Sequence, residues 1–439
     1  MEYRYKDSGI EWIGRIPKNW NTCRLKDCAI VVLGKMLMNF PPKGQESAYT
    51  LERYLKSKNI GWLEIILDNG VDEMWFNIEE KKTYLLKNGD IVMNEGGDIG
   101  KVALWIKQPY DCYIQNSVHK ITAGTTVNNC FLLYFLYYAS SKGYFNSIVN
   151  QISIAHLTKE KLQNTPITLP TLSEQKRIAK YLDWKCGEID ELITLQEQMI
   201  ALLTNYKQSV ITETITKGLN PNVSFVPSGI DWIGQMPKDW KITNMKNLCT
   251  SITDGSHFSP ERQSEGMPYI TAGDVRGKGI DYDKAMRITI EDYNILESQG
   301  CRPHKGDVLM VKDGATTGRV GIMTDDEECV LLSSVAMLTP KENVDSYYLM
   351  YLIQSDIIQA QIRLLMAGSA MPRVTLKKIN TLKGLLISID EQRAIAKYLD
   401  AKCGEIDMLI VTKQKKIDTL KEYKKSVIYE AVTGKVNIE

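Results

Sequence analysis

The sequence predicts an α+β protein written twice: two globular mixed α/β bodies separated by two long antiparallel coiled-coil helices, in a pseudo-twofold internal repeat. Three observations predict it. First, Ser8-Gly9-Ile10-Glu11-Trp12-Ile13-Gly14-Arg15-Ile16-Pro17-Lys18-Asn19-Trp20 returns as Ser228-Gly229-Ile230-Asp231-Trp232-Ile233-Gly234-Gln235-Met236-Pro237-Lys238-Asp239-Trp240. Second, Glu174-Gln175-Lys176-Arg177-Ile178-Ala179 returns at Glu391-Gln392-Arg393-Ala394-Ile395-Ala396, and each copy opens a long stretch without proline. Third, the segments between these phrases mix strand and helix signals without regular βαβ alternation. The expected boundaries are residues 1–172 and 218–389 for the bodies with their opening motifs, and 173–217 and 390–439 for the helices.

Each opening motif is rich in aromatic residues and bracketed by glycine and proline. That composition fits a ligand box, but anchoring a loop onto its own body is the simpler reading. The bodies, about Cys23 to Thr171 and Leu248 to Ile389, diverge in sequence and share a grammar. Asn88-Gly89-Asp90-Ile91-Val92-Met93 and Lys305-Gly306-Asp307-Val308-Leu309-Met310 each read as a turn entering a strand. A glycine-containing loop follows, closed by Gly100-Lys101 or Gly318-Arg319, and then a further apolar run. Ser117-Val118 and Ser334-Val335 mark another strand, and helices start near Asn129 and Ser346. Divergence concentrates in loops: Lys35 to Arg53 in one half, Asp254 to Pro260 and Asp274 to Lys278 in the other.

The helices are expected to begin at an N-cap, Ser173 or Asp390, followed by a glutamate suited to the positive end of the helix dipole. Leu182, Ile189, Gln196, Leu203 and Val210 fall seven apart, with Lys185, Leu192, Met199 and Tyr206 three residues behind. The second copy answers with Leu399, Ile406, Lys413, Leu420 and Val427, plus Lys402, Leu409, Lys416 and Tyr423. An apolar stripe of this period is a coiled-coil seam, here formed by Leu182, Ile189, Leu203, Val210, Leu399, Ile406, Leu420 and Val427. Roughly 42 helical residues would span about 60 Å, which suits a spacer. Each stripe has its matching partner in its own duplicate, although packing of each helix on its own body is the alternative. Gly187 and Gly404, at the same place in both copies, point to a close helix approach or a bend.

Composition narrows the class. The 439 residues carry a net charge of +1, so any nucleic-acid affinity must come from local patches or from partners. Nine scattered cysteines without a C-x-x-C pair read as reduced, cytosolic thiols, and four histidines leave little for a metal site. No signal peptide or membrane span is expected: the apolar run Phe131 to Tyr138 falls well short of the ~20 residues a span needs. Catalytic near-motifs fail on inspection. Gly96-Gly97-Asp98-Ile99-Gly100-Lys101-Val102 lacks the spacing of a phosphate loop and reads as a hairpin. Asn39-Phe40-Pro41-Pro42 has the letters of an adenine-methyltransferase motif in the wrong order, Glu79-Glu80-Lys81 lacks the aspartate of a nuclease site, and Cys301 with His304 lacks an orienting group. None of them is intact in both halves.

Over essentially its full length the chain resembles the specificity subunit of type I restriction-modification enzymes. The resemblance rests on both opening motifs, on both Glu-Gln-x-x-Ile-Ala-x-x-Leu-Asp helix starts, and on the Thr216-Lys217-Gly218-Leu219 and Thr433-Gly434-Lys435 ends. Asp254-Gly255-Ser256-His257 and Gly368-Ser369-Ala370-Met371-Pro372-Arg373 also look like phrases of its target-recognition domains. The first body departs from the second of these with Ile152-Ser153-Ile154-Ala155-His156, and the second helix lacks the counterpart of Pro170. The resemblance implies that each body reads half of an asymmetric double-stranded DNA site while the helices set the gap and dock partners. It further implies two modification subunits and two restriction subunits, no catalysis and no cofactor in this chain, with S-adenosylmethionine, ATP and Mg held by the partners. The location implied is cytoplasmic, away from membranes.

Polar and basic loop residues are the candidate DNA contacts, because Arg and Lys suit guanine edges or phosphates and Asn and Gln suit adenine. They are Lys35, Lys43, Gln45, Asn94, Lys101, Gln115 and Asn116 in the first body. In the second they are Ser256, His257, Arg276, Lys278, Lys312, Thr316, Thr317, Arg319 and Arg373. No catalytic or metal-binding residue is assigned. A coiled-coil scaffold joining other proteins, and an enzyme with a concealed site, are the competing readings.

Overall fold

The computed structural model describes residues 5–68, 70–149, 156–366 and 372–438. Ile152–Ala155 and Gly368–Met371, parts of two phrases singled out above, lie outside them. Contacts divide the chain into two compact units, Met1–Gln196 with Lys415–Glu439, and Glu197–Gln414. Each long helix, Leu172–Lys217 or Ile389–Val432, therefore begins in one unit and ends in the other.

In the first unit, Ala29–Leu33, Val118–Ala123, Ile91–Asn94 and Val102–Leu104 form a four-stranded antiparallel sheet in that order. A three-stranded sheet, Asp72–Asn77, Tyr49–Leu55 and Tyr113–Ile114, stands beside it, its last pairing parallel. Asn21–Arg24 pairs with Pro166–Leu169 and closes the body just before the long helix. Every residue of the helix Asn129–Ser141 from Phe131 to Ser140 is buried, so this apolar run, hydrophobic on all sides, is a core helix. No described helix is long and apolar enough to cross a membrane.

The second unit repeats this plan in other residues. Its four-stranded sheet is Cys249–Asp254, Val335–Pro340, Val308–Val311 and Val320–Ile322, and its three-stranded sheet is Met286–Ile288, Met267–Ile270 and Val330–Leu331. It adds a short hairpin, Val275–Arg276 with Gly279–Ile280. Both strands read from the Gly-Asp turns form the buried middle of their sheets, and Gly96–Gly100 is the expected hairpin loop.

The doubled phrases prove to be one joint made twice. The Trp20 indole N–H donates to Glu174 Oε1 at 3.0 Å, and Trp240 does the same to Glu391 at 3.2 Å. Gln175 Oε1 accepts the Asn128 N–H, while its amide donates to Thr126 O and Pro170 O. Gln392 makes the same three bonds with Asp345, Asn343 and Ile387. Tyr134 donates to Asp183 at 2.9 Å and Tyr351 to Asp400 at 2.8 Å. The opening motif is thus an anchor, and the Glu-Gln…Asp phrase is the surface it and the core helix grip.

Within each unit the start of one long helix lies antiparallel to the end of the other. Asp190 pairs with Lys424 in the first unit, and Asp407 with Lys207 in the second, each at 2.7 Å. Leu182, Ile189, Leu399, Ile406 and Val427 are buried, and Leu203, Val210 and Leu420 half-buried. The companion positions are corrected. Leu192, Met199, Tyr206, Leu409 and Tyr423 are exposed, and the seam is completed one residue later, by Cys186, Ile193, Ile200, Lys207 and Thr214 and by Cys403, Ile410, Ile417, Lys424 and Ala431. Lysines at two of those places hid the stripe, because their stems are covered while their ammonium groups reach the aspartates.

Two further expectations are corrected. The caps are Thr171 and Ser388, whose hydroxyls accept the N–H of Glu174 and Glu391, so each helix starts earlier than its Ser173 or Asp390. A Cβ at Gly187 or Gly404 would meet nothing within 4 Å, so neither glycine marks a close helix approach. The helix ends do approach closely. Gly434 and Gly218, just past the two helices, adopt φ of +70° and +74° and lie against Pro17 and Trp20, or Trp240, of the opening motifs. The hydroxyl of Thr168 also holds the Val432 carbonyl at 2.9 Å.

Candidate nucleic-acid interface

The antiparallel order of each four-stranded sheet decides which loops share an end. Ala29–Leu33 and Ile91–Asn94 finish where Val118–Ala123 and Val102–Leu104 begin, so the segments 34–45, 95–101 and 115–117 gather there. Backbone bonds lace them together: Lys35 N–H to Ile114 O, Asn116 N–H to Lys35 O, and Glu95 N–H to Ser117 O. Leu157 N–H donates to Glu95 O, which brings His156 alongside, its Nδ1 2.8 Å from the Glu95 carboxylate. The second unit builds the same end from segments 255–262, 312–319 and 332–334. There Ser333 N–H bonds Ser256 O, Lys312 N–H bonds Ser334 O, and Val374 N–H bonds Lys312 O. Arg373, the neighbour of Val374, pairs with Asp313 at 3.1 Å.

Most candidate contacts fall on these two ends, at different depths. Lys43 and Gln45 are exposed, and Lys101, Gln115 and Asn116 half-buried, with Lys101 paired to Asp98 at 2.5 Å. Lys35 and Asn94 lie beneath the surface. The Lys35 ammonium donates to Trp75 O at 2.8 Å and to Glu80, and sits over the rings of Phe76 and Tyr49. Asn94 donates to Ser57 O at 3.2 Å. A lysine in this setting is a strut: its charge is already matched, and leaving would strand Glu80.

In the second unit His257 and Arg373 are exposed and Thr316 and Thr317 half-buried. Ser256 accepts the Phe258 N–H and is nearly covered. Lys312 is the strut here, 2% exposed and 3.1 Å from both Asp254 and Asp313. Two basic candidates lie apart from this loop end, and Arg319 is its last residue before the strand Val320–Ile322. Arg319 opens into a cleft of about 460 Å³ that is also lined by Lys207, Arg363, Gln354 and Gln359. Arg276 and Lys278 belong to the extra hairpin, where Arg276 pairs with Asp281 and Lys278 reaches Asp400 on the long helix, at 3.2 and 3.3 Å. Among the described residues no cluster of His, Cys, Asp or Glu is arranged to hold a metal ion.

Sequence reasoning missed the carboxylates that tie these loops down. Glu80 lies far from Lys35 along the chain, and no periodicity joins them. The His156 and Arg373 pairs could have been found only by aligning the two halves through Leu157 and Val374, residues that share no letters.

Each unit thus carries a loop-built end on one common plan, with unlike side chains in the two copies. A family model described as "Type I restriction modification DNA specificity domain" matches residues 17–205 and again 237–422, one copy in each half. Among curated relatives, the chain is 25% identical to the type I restriction enzyme MjaVIII specificity subunit of Methanocaldococcus jannaschii, over 100% of this chain and 98% of the relative. It is 27% identical to the putative MjaX specificity subunit of the same organism, over 97% and 96%. A chain solved in work on complex assembly and conformational transition of the type I R-M system superposes with a TM-score of 0.69 at 17% identity, covering 96% of this chain and 99% of that one. The chain belongs to the type I restriction-modification DNA specificity family.

Proposed function

We propose that the chain is the non-catalytic DNA-recognition subunit of a type I restriction-modification complex, in which each loop end reads one half of an asymmetric bipartite duplex site. One observation carries this reading: the same sheet end is built twice with different polar side chains, Lys43, Gln45, Gln115 and Asn116 in one unit and His257, Thr316, Thr317 and Arg373 in the other. Base edges in the major groove distinguish all four base pairs, so unlike donor and acceptor sets read unlike half-sites. Lys35, Asn94 and Lys312 hold those readers from below, and Arg276, Lys278 and Arg319 serve the flanking backbone. The long helices fix the number of base pairs between the halves.

An exposed apolar pair recurs on the helices, Leu192 with Tyr423 in the first unit and Leu409 with Tyr206 in the second. Each pair is the docking patch for one modification subunit, and through these the complex takes two restriction subunits. Methyl transfer from S-adenosylmethionine to an adenine turned out of the stack, and the ATP- and Mg-dependent steps, belong to those partners in the cytoplasm. With a net charge of +1, the chain leaves much of the phosphate contact to them.

The test is to sequence methylated adenines in cells carrying the modification subunit with and without this chain. A chain-dependent, asymmetric motif with a fixed internal gap is expected. A palindromic motif, or none that depends on the chain, refutes the proposal.

A further inference from the structure

We propose that Phe40 and Phe258 are apolar wedges that enter the base stack of the two half-sites, an inference that rests on the DNA-recognition reading and adds how the duplex is deformed. The two rings lie on corresponding loops but not at the same step, and the position matching Phe258 in the first unit is Leu37. Each lies on the loop leaving the first strand of its four-stranded sheet, and each loop starts at a glycine, Gly34 or Gly255. A Cβ at either would fall on the backbone carbonyl of Gln115 or Leu331. The loop therefore leaves the sheet at a point no side chain can occupy.

Beyond that root both backbones are pinned. In the first unit Trp75 N–H donates to Met38 O at 3.2 Å, Lys35 fills the space beneath, and Gln45 N–H closes a turn on Pro42 O. Above this support Met36, Leu37 and Phe40 stand 75%, 51% and 82% exposed. In the second unit Phe258 N–H donates to Ser256 Oγ at 2.9 Å and Phe258 O accepts the Tyr269 hydroxyl at 2.7 Å, while the ring is 53% exposed. A proline follows each ring closely, Pro41 or Pro260.

A ring held in water on a fixed backbone sacrifices burial in the free protein and has little ordering left to lose on meeting its target. The flanking chemistry names that target. Residues 34–45 contain the exposed Lys43, with Lys35 already matched by Glu80, and no carboxylate, and residues 255–262 contain His257, Arg262 and one carboxylate, Glu261. An apolar tip with polar shoulders matches a duplex, whose base steps accept Phe, Leu or Met wedges while its phosphates meet the exposed Lys43 and Arg262. A wedge in each half-site kinks the DNA at two places and makes binding sensitive to how easily those steps unstack.

The test uses the complex of the full chain with its modification subunit, and duplexes carrying the mapped site with 2-aminopurine at one position at a time. In the wild type, fluorescence should rise at one step in each half-site besides the adenine that the modification subunit turns out of the stack. Phe40→Ala should abolish the rise in one half only and Phe258→Ala in the other only, each weakening binding on the order of tenfold, as loss of one base–aromatic contact does. Phe→Trp at either position should keep both effects, and melting temperatures should not move, because both rings are exposed.

Unchanged fluorescence and affinity in the alanine variants would overturn the wedge, as would an affinity loss with no 2-aminopurine signal in the wild type. Loss of the modification subunit from the alanine variants would assign the loops to protein docking and overturn it too. Failure of the wild-type complex to select any site would instead sink the DNA reading on which the wedge rests.

Discussion

Four glycines, two inside the long helices and two just past their ends, give a prediction with opposite signs in one chain. Gly187 and Gly404 sit in helix interiors with nothing within 4 Å of a notional Cβ. Alanine there removes the entropic penalty of glycine and should stabilise by about 0.5–1 kcal/mol at each position. Gly434 has φ of +70°, and its Cβ would fall on the Pro17 ring, with Trp20 Cη2 at 3.1 Å. An L residue in that conformation costs about 1–2 kcal/mol. Forcing a methyl into a packed joint costs about 1–3 kcal/mol more, so Gly434→Ala should destabilise by roughly 2–5 kcal/mol. Gly218→Ala bears the same backbone cost against a looser neighbour, Trp240 Cζ2 at 3.0 Å, and should lose less. Thermal unfolding of the full chain and hydrogen exchange of residues 425–438 and 8–20 read both effects. Exchange at 8–20 unaffected by Gly434→Ala would refute the placement of the helix ends on the opening motifs, and destabilisation by Gly187→Ala would deny the open space beside that glycine.

Three further outcomes follow from the same joints. Tyr134→Phe should cost about 1 kcal/mol through its lost bond to Asp183, and Tyr351→Phe less, since Asp400 also meets Lys278; equal losses in thermal unfolding would count against this. Asp190→Lys should lower stability by about 0.3–1 kcal/mol and Lys424→Asp added to it should restore the loss, the small size reflecting an aspartate that is 55% exposed; absence of restoration would deny the pairing. Desolvation holds the buried His119 imidazole below its usual range. The unfolded chain therefore takes up a proton there that the folded chain resists. Stability should be kept above about pH 6.5 and fall below it, and His119→Gln should flatten that slope. An unchanged slope would mean His119 titrates freely.

What the sequence disclosed divides by the range of the interaction. The repeat, the Gly-Asp turns before Ile91 and Val308 and the helix starts at Asn129 and Ser346 are local signals, and the structure places them as read. The seam was half legible. Leu182 and Ile189 follow a seven-residue rule, whereas Lys207 and Lys424 disguise seam positions as surface until their aspartates on the other helix are known. The depth of the loop residues was not legible. Lys35 and Lys43 look alike in a list of loop lysines, and only the arrival of Glu80 and Trp75 from a separate sheet turns one of them inward. The second, three-stranded sheet escaped notice because its pairing of Tyr49–Leu55 with Tyr113–Ile114 spans two strands of the first sheet in sequence, Ile91–Asn94 and Val102–Leu104.

The division of one DNA site between two readers is tested most directly by exchanging residues 23–171 for the corresponding body of another family member and mapping methylated adenines with the cognate modification subunit. One half of the motif should change while the other half and the gap stay as they were. A motif altered in both halves, or in neither, would contradict the account.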